Sequence, residues 1–168
     1  MRYALQEKLF SWGDSFSVKD EKGEDVLMVK GKVFSLGKNL SLQDKAGNDL
    51  GIIKQKLLSW RPTYQIYRQG QLYATMRKPF AWFRTRFTVA VDGQAAIEVR
   101  GNFWGHEYNF SRAGRDIAGV SKKWFSWRDT YGVDIEEEAD HLLVLACVVV
   151  IDLVCHENRR QGQAGFSS

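Results

Sequence analysis

The chain is 168 residues long, 13% aromatic with six Trp, and carries a formal net charge of +4. That length suits a single domain with a sizeable core, and the aromatic content favours strands over a helical bundle. Two cysteines exclude a disulfide-stapled scaffold, and the modest charge permits attraction to acidic surfaces without requiring it.

The opening segment, MRYALQEKLFSW, has charges where a signal peptide needs its apolar region, and neither end carries a lipidation motif. A cytoplasmic location is therefore expected, with peripheral contact to a membrane surface as its extension. From this segment onward a repeat runs along the chain. KLFSWGDSFSVKDEKG, KLLSWRPTYQIYRQG, KPFAWFRTRFTVAVDG and KKWFSWRDTYGVDIEE share a basic residue, apolar residues, Trp, a short turn, an aromatic and then alternation. GKVFSLGKNLSLQDKAG and GNFWGHEYNFSRAG are weaker copies. The anchors Phe16, Leu40, Tyr64, Phe87, Tyr108 and Tyr131 are separated by 24, 24, 23, 21 and 23 residues.

Each copy holds two strands, one running into the Trp position and one starting at the anchor. Turns at Gly23, Gly47, Gly70, Gly93 and Gly114 lead to the next copy, glycine supplying a positive φ at little steric cost. Six hairpin-like copies predict about twelve antiparallel strands. Such a sheet hides its edges fully only by closing into a barrel, with a β-sandwich as the alternative. A barrel wider than about eight strands has a lumen that its own side chains do not fill. It then needs water or a plug.

The sixth copy ends differently, in EEEAD, and enters an apolar run from Leu142 to Ile151. The segment from Asp140 to His156 is too long for a typical strand and predicts a helix of four to five turns. Apolar residues on all its faces make it a buried helix. Leu142, Leu145, Val149 and Asp152 are its expected structural positions, with Leu145 and Val149 pointing into the lumen. Asp152 stops the run short of the roughly 20 apolar residues of a membrane span, so the helix is expected to plug the barrel and not to cross a bilayer. Cys147 and Cys155 on one helix would lie about 12 Å apart, too far for a disulfide, so two reduced thiols are expected. The domain is placed at residues 1–158, with 159–168 as a flexible polar tail.

The landmarks YALQEKLFSWGDSFSVKDEKG, SLGKNLSLQDKAGNDLGIIKQKLLSW and the apolar helix after YGVDI resemble the LURP-one-related family, part of the tubby C-terminal-like superfamily that also includes phospholipid scramblases. The resemblance runs from Tyr3 to about His156. It implies a mainly β fold, a twelve-stranded closed antiparallel barrel around a central hydrophobic helix. Plant relatives are linked to defence, tubby domains to phosphoinositide-rich membranes and scramblases to lipid movement. The proline-rich and cysteine-rich segments of scramblases are missing here.

Ten basic residues near the turns form the candidate ligand-binding set: Lys54, Lys56 and Arg61; Arg77, Lys78, Arg84 and Arg86; Lys122, Lys123 and Arg128. On adjacent hairpins they would form a stripe for phosphates or anionic lipid headgroups; alternatively they are a solvated face that guards strand edges. The six Trp residues are expected to pack in the core or at the barrel ends, and no motif for specific nucleic-acid binding is present. Among enzyme candidates, Asp152 and His156 stand four apart and could meet on one helix face, while His141 follows Asp140 and His106 is distant. No nucleophile, metal-ligand motif, nucleotide loop or cofactor motif accompanies them. The expected function is a non-enzymatic binding or scaffold domain, with recognition of an anionic phospholipid or phosphorylated partner as the specific alternative and an enzyme as the remaining one.

Overall fold

The computed structural model describes residues 1–6, 15–31, 39–78, 86–124 and 130–164, with backbone alone at 6, 15–16 and 156–164. Twelve strands follow in order: β1 Arg2–Gln6, β2 Ser15–Lys19, β3 Asp25–Gly31, β4 Asn39–Gln43, β5 Asp49–Lys56 and β6 Thr63–Arg68 in the first half. The second half comprises β7 Gln71–Arg77, β8 Arg86–Val91, β9 Ile97–Asn102, β10 Glu107–Arg112, β11 Arg115–Ser121 and β12 Thr130–Ile135, followed by helix α1, His141–Ala164. Each strand pairs antiparallel with its sequence neighbours, and β1 pairs with β12 from Arg2↔Asp134 to Gln6↔Thr130, so the meander closes on itself. Closure, and not the sandwich, is how this sheet hides its edges.

The turn glycines explain the local path. Gly23, Gly47, Gly70, Gly93 and Gly114 all have φ between 68° and 88°, a region that side chains other than glycine seldom adopt. They lie in the β2–β3, β4–β5, β6–β7, β8–β9 and β10–β11 turns and mark one rim of the barrel. The anchors begin the even-numbered strands, and Leu40, Tyr64, Phe87, Tyr108 and Tyr131 are buried against the lumen. The side chain of Phe16 lies outside the described residues.

Helix α1 fills the lumen. Leu143 to Val154 are all buried, with Leu145 4% and Val149 0% exposed, and Leu142 packs half-buried at the edge of that core. Val148, Val149, Val150 and Ile151 are weak helix formers, but apolar burial on every side outweighs that preference. Burying each such side chain fully is worth at most about 1.5–3 kcal/mol. The helix continues to Ala164, past the end at His156 that the apolar run suggests. Glu157, Arg159, Arg160, Gln161 and Ala164 are good helix formers, which favours the helix through this segment. Among the described residues, no helix is long and apolar enough to cross a membrane. Cys147 and Cys155 are free, and burial pushes the Cys147 thiol up, holding it in the protonated state.

Candidate functional site

The glycine rim is acidic. Its turns hold Asp20, Glu21, Glu24, Asp44 and Asp92 against Lys22 and Lys45, and the β12–α1 connection adds Glu136, Glu137, Glu138 and Asp140, so acidic residues are in excess. The opposite rim has a basic arc. β5 ends there with Lys54 and Lys56, the β5–β6 connection carries Arg61, and β7 ends there with Arg77 and Lys78. Lys56 and Arg77 are both in register with Thr63 on the strand between them. Two strand spacings put them roughly 10 Å apart on the outer wall. Lys54 stands one step further along β5, its ammonium 4.8 Å from the centroid of the Tyr67 ring. Five of the ten predicted basic residues therefore gather on three neighbouring strands.

Of the other five, the three that are described do not join this arc. Lys122 and Lys123 occupy a short 3-10 turn after β11, at the same rim but across the barrel. Arg86, on β8, is committed to Glu98 at 2.6 Å, and Arg100 pairs with the same carboxylate. Arg84 and Arg128 lie outside the described residues.

The β5–β6 connection rises from the centre of the arc. Leu57, Leu58 and Trp60 are 56%, 96% and 98% exposed. The expectation that the Trp residues pack in the core or against a barrel end is overturned at Trp60. Its loop is tied at the base: the Ser59 and Thr63 hydroxyls meet at 3.0 Å, Thr63 also donates to the Arg61 carbonyl at 2.9 Å, and the Lys78 amide donates to the Pro62 carbonyl at 3.1 Å. Those bonds take Ser59 inward and leave Leu58 and Trp60 at the surface. Trp104 is half-exposed, while Trp124 is partly covered, with the Arg2 guanidinium 4.9 Å from its ring centroid. Trp12, Trp82 and Trp127 lie outside the described residues. Sequence reasoning missed the apolar loop because KLLSW reads like a core segment. The signal available was Pro62, which interrupts the repeat after Trp60.

A different polar cluster is sealed inside. Asp152 is 1% exposed on α1 and accepts a hydrogen bond from the Tyr131 hydroxyl. His106, in the tight β9–β10 turn at φ 50°, places Nδ1 3.6 Å from the Asp152 carboxylate and stacks on the Tyr131 ring at 4.2 Å. Tyr108 lies beside them. Burial first, and then the negative charge of Asp152, push its phenol well up, so it stays neutral. The pairing of Asp152 with His156 concerns a side chain outside the described residues. The wall tyrosine is the partner seen here. Chemically the cluster fastens the lower half of the helix to the wall, with its atoms closed to solvent.

At the upper end, Asp140 caps the helix. Its carboxylate accepts the Leu143 amide at 3.0 Å and its carbonyl accepts the Val144 amide at 3.0 Å. The same carboxylate pairs with Arg68 and accepts the Tyr73 hydroxyl at 2.6 Å. His141 is held by the Tyr3 hydroxyl at 2.8 Å and by the Glu136 carbonyl at 3.1 Å. Among the described residues, no three His, Cys, Asp or Glu side chains stand close enough together to hold a metal ion.

On the wall across from the basic arc, a groove of about 310 Å³ runs beside Trp124 between Asp116, Asp134, Glu136 and Glu137. The barrel is thus polarised, with acidic turns and an acidic groove set away from the basic, apolar rim.

The model of the LURP-one-related family matches residues 1–152. The uncharacterized protein YxjI of Bacillus subtilis (strain 168) is 31% identical over 154 residues, covering 92% of this chain and 93% of that protein. An X-ray structure of a protein from Arabidopsis thaliana superposes with a TM-score of 0.69 at 19% identity, covering 91% of this chain and 90% of its own. At that identity the likeness concerns the fold.

Proposed function

The chain belongs to the LURP-one-related family, and on that premise we propose that it is a non-enzymatic binding domain whose basic rim recognises anionic phospholipid surfaces. The observation that carries this reading is the segregation at the barrel ends. Lys54, Lys56, Arg61, Arg77 and Lys78 surround an exposed apolar loop at one rim, while the other rim, with Glu136, Glu137, Glu138 and Asp140 beside its glycine turns, carries a net excess of acidic residues. A cation near an anionic leaflet contributes about 1 kcal/mol, so several acting together give reversible recruitment. The acidic rim is repelled by the same surface, which sets the orientation. The polar groups of the lumen are closed to solvent and serve the fold in this reading.

Liposome sedimentation tests it. At low salt, vesicles of phosphatidylcholine with phosphatidylserine should pull down the protein and pure phosphatidylcholine should leave most of it in solution. Recruitment should fall as salt rises, because the screening length shrinks from about 10 Å at 0.1 M to about 3 Å at 1 M. The Lys56→Glu/Arg77→Glu variant should lose most of the anionic preference while unfolding like the wild type. Equal sedimentation with both lipids at low salt overturns the proposal.

A further inference from the structure

We infer that the β5–β6 loop is a membrane-insertion device: Leu58 and Trp60 enter the interfacial layer beneath the headgroups that the basic arc binds. This inference rests on the lipid reading above and commits it to a bilayer, since a soluble phosphorylated molecule offers no apolar layer behind its phosphates.

Three observations converge on the loop. The first is exposure: Leu58 at 96% and Trp60 at 98% are almost wholly in water, with Leu57 half-exposed beside them. Single exposed apolar residues are ordinary, but three in a four-residue stretch are a concentrated apolar tip. The second is what surrounds the tip. Lys56 precedes it, Arg61 follows it, and Arg77 and Lys78 end the neighbouring strand β7. Phosphates drawn to those cations bring the acyl boundary under Leu58 and Trp60, and an indole belongs at that boundary, its body apolar and its N–H wet. The third is the pinned base. The bonds from Ser59, Thr63 and Lys78 hold the loop in its protruding form before any partner arrives, so insertion pays little ordering entropy. The barrel then stands on this rim with the glycine turns pointing away.

The test uses the full chain, wild type against Leu58→Ser/Trp60→Ser and against Lys56→Glu/Arg77→Glu. Neither Leu58 nor Trp60 contacts the core, so the double-Ser variant should unfold at the wild-type midpoint. Two readouts are needed: sedimentation with phosphatidylserine-containing vesicles across salt, and surface pressure of a monolayer of the same lipid mixture after injection beneath it. The wild type should raise the monolayer pressure. The double-Ser variant should keep its salt-sensitive recruitment, weaken by about 10–100-fold, as two apolar side chains that leave water only in part at the interface would account for, and leave the pressure unchanged. Wild-type binding matched by the double-Ser variant, with no pressure change from either, overturns insertion and leaves the electrostatic reading standing. No wild-type preference for anionic vesicles removes both. A lipid-free dimer in sedimentation velocity that disperses in the double-Ser variant assigns the loop to a second copy of the chain and also overturns the inference.

Discussion

Asp152 is a carboxylate inside an apolar lumen, and its neighbours explain why the fold tolerates it. Burying a charge without partners is costly, and here the Tyr131 hydroxyl donates to it while His106 approaches to 3.6 Å. Replacing Asp152 with Asn keeps the volume and removes the charge. Urea unfolding should report a loss of about 1–3 kcal/mol. Tyr131→Phe should cost a similar amount, and the double variant should cost less than the sum, because both changes remove one interaction. Full additivity would mean that the two groups act independently. The sequence marks Asp152 as unusual, since it interrupts an apolar run, and calls for a partner at His156 or at an Arg or Tyr of the wall. It does not pick out Tyr131 or His106. These lie 21 and 46 residues away on other elements, and only barrel closure brings them to the same depth of the helix. Trp60 shows the opposite difficulty: its local pattern matches the other copies of the repeat, and its exposure goes with hydrogen bonds around the base of the loop at Ser59, Pro62 and Thr63.

Helix α1 is fixed at its start by one residue with several duties. Asp140 caps the backbone and joins the β6–β7 hairpin through Arg68 and Tyr73, 72 and 67 residues away. Burial draws the Asp140 carboxyl upward, but the Arg68, Tyr73 and Leu143 bonds outweigh it and hold the group below its ordinary value. A carboxylate lowered in the folded state contributes stability that is present above its unfolded value of about 3.9 and is lost as pH falls through the folded value. The stability gap between the wild type and Asp140→Asn, measured by urea unfolding, should therefore be widest near neutral pH and narrow below about pH 4. Asp140→Ala should cost more, about 2–4 kcal/mol at neutral pH, since it also removes the cap. A gap that stays constant down to pH 2 would mean that the charge of the carboxylate does not carry the effect. The hairpins themselves were legible in the sequence because their causes are local: a glycine at positive φ and alternation on each side of it. The helix was legible for the same reason, but the contacts that tie it to the β6–β7 turn depend on where the sheet closes.

The closed sheet and the helix have no core apart from each other. Leu40, Tyr64, Phe87, Tyr108 and Tyr131 face inward from successive hairpins, and the helix surface from Leu143 to Val154 is the surface they meet. A twelve-stranded lumen without that helix would be a wide apolar hole, and the helix without the lumen would expose a continuous apolar cylinder. The parts should therefore unfold together: near-ultraviolet and far-ultraviolet circular dichroism should trace one transition in denaturant. Leu145, 4% exposed in the second turn of the helix, probes that unity. Leu145→Ala leaves a void and should lower stability by about 2–5 kcal/mol while keeping a single transition. Leu145→Asp puts a carboxylate into the apolar core cluster, in contrast to Asp152 further along the same helix, which the wall tyrosine supports. That variant should lose the near-ultraviolet signal of packed aromatics. An unfolding midpoint for Leu145→Asp equal to that of the wild type would place this face of the helix in water and undo the plug. The repeat spacing and the apolar run together carried the closed barrel and its plug in the sequence. The orientation of the charges did not follow from them, because alternate connections of a meander lie at opposite rims. Acidic and basic turns that interleave along the chain therefore separate in space only when the barrel is built.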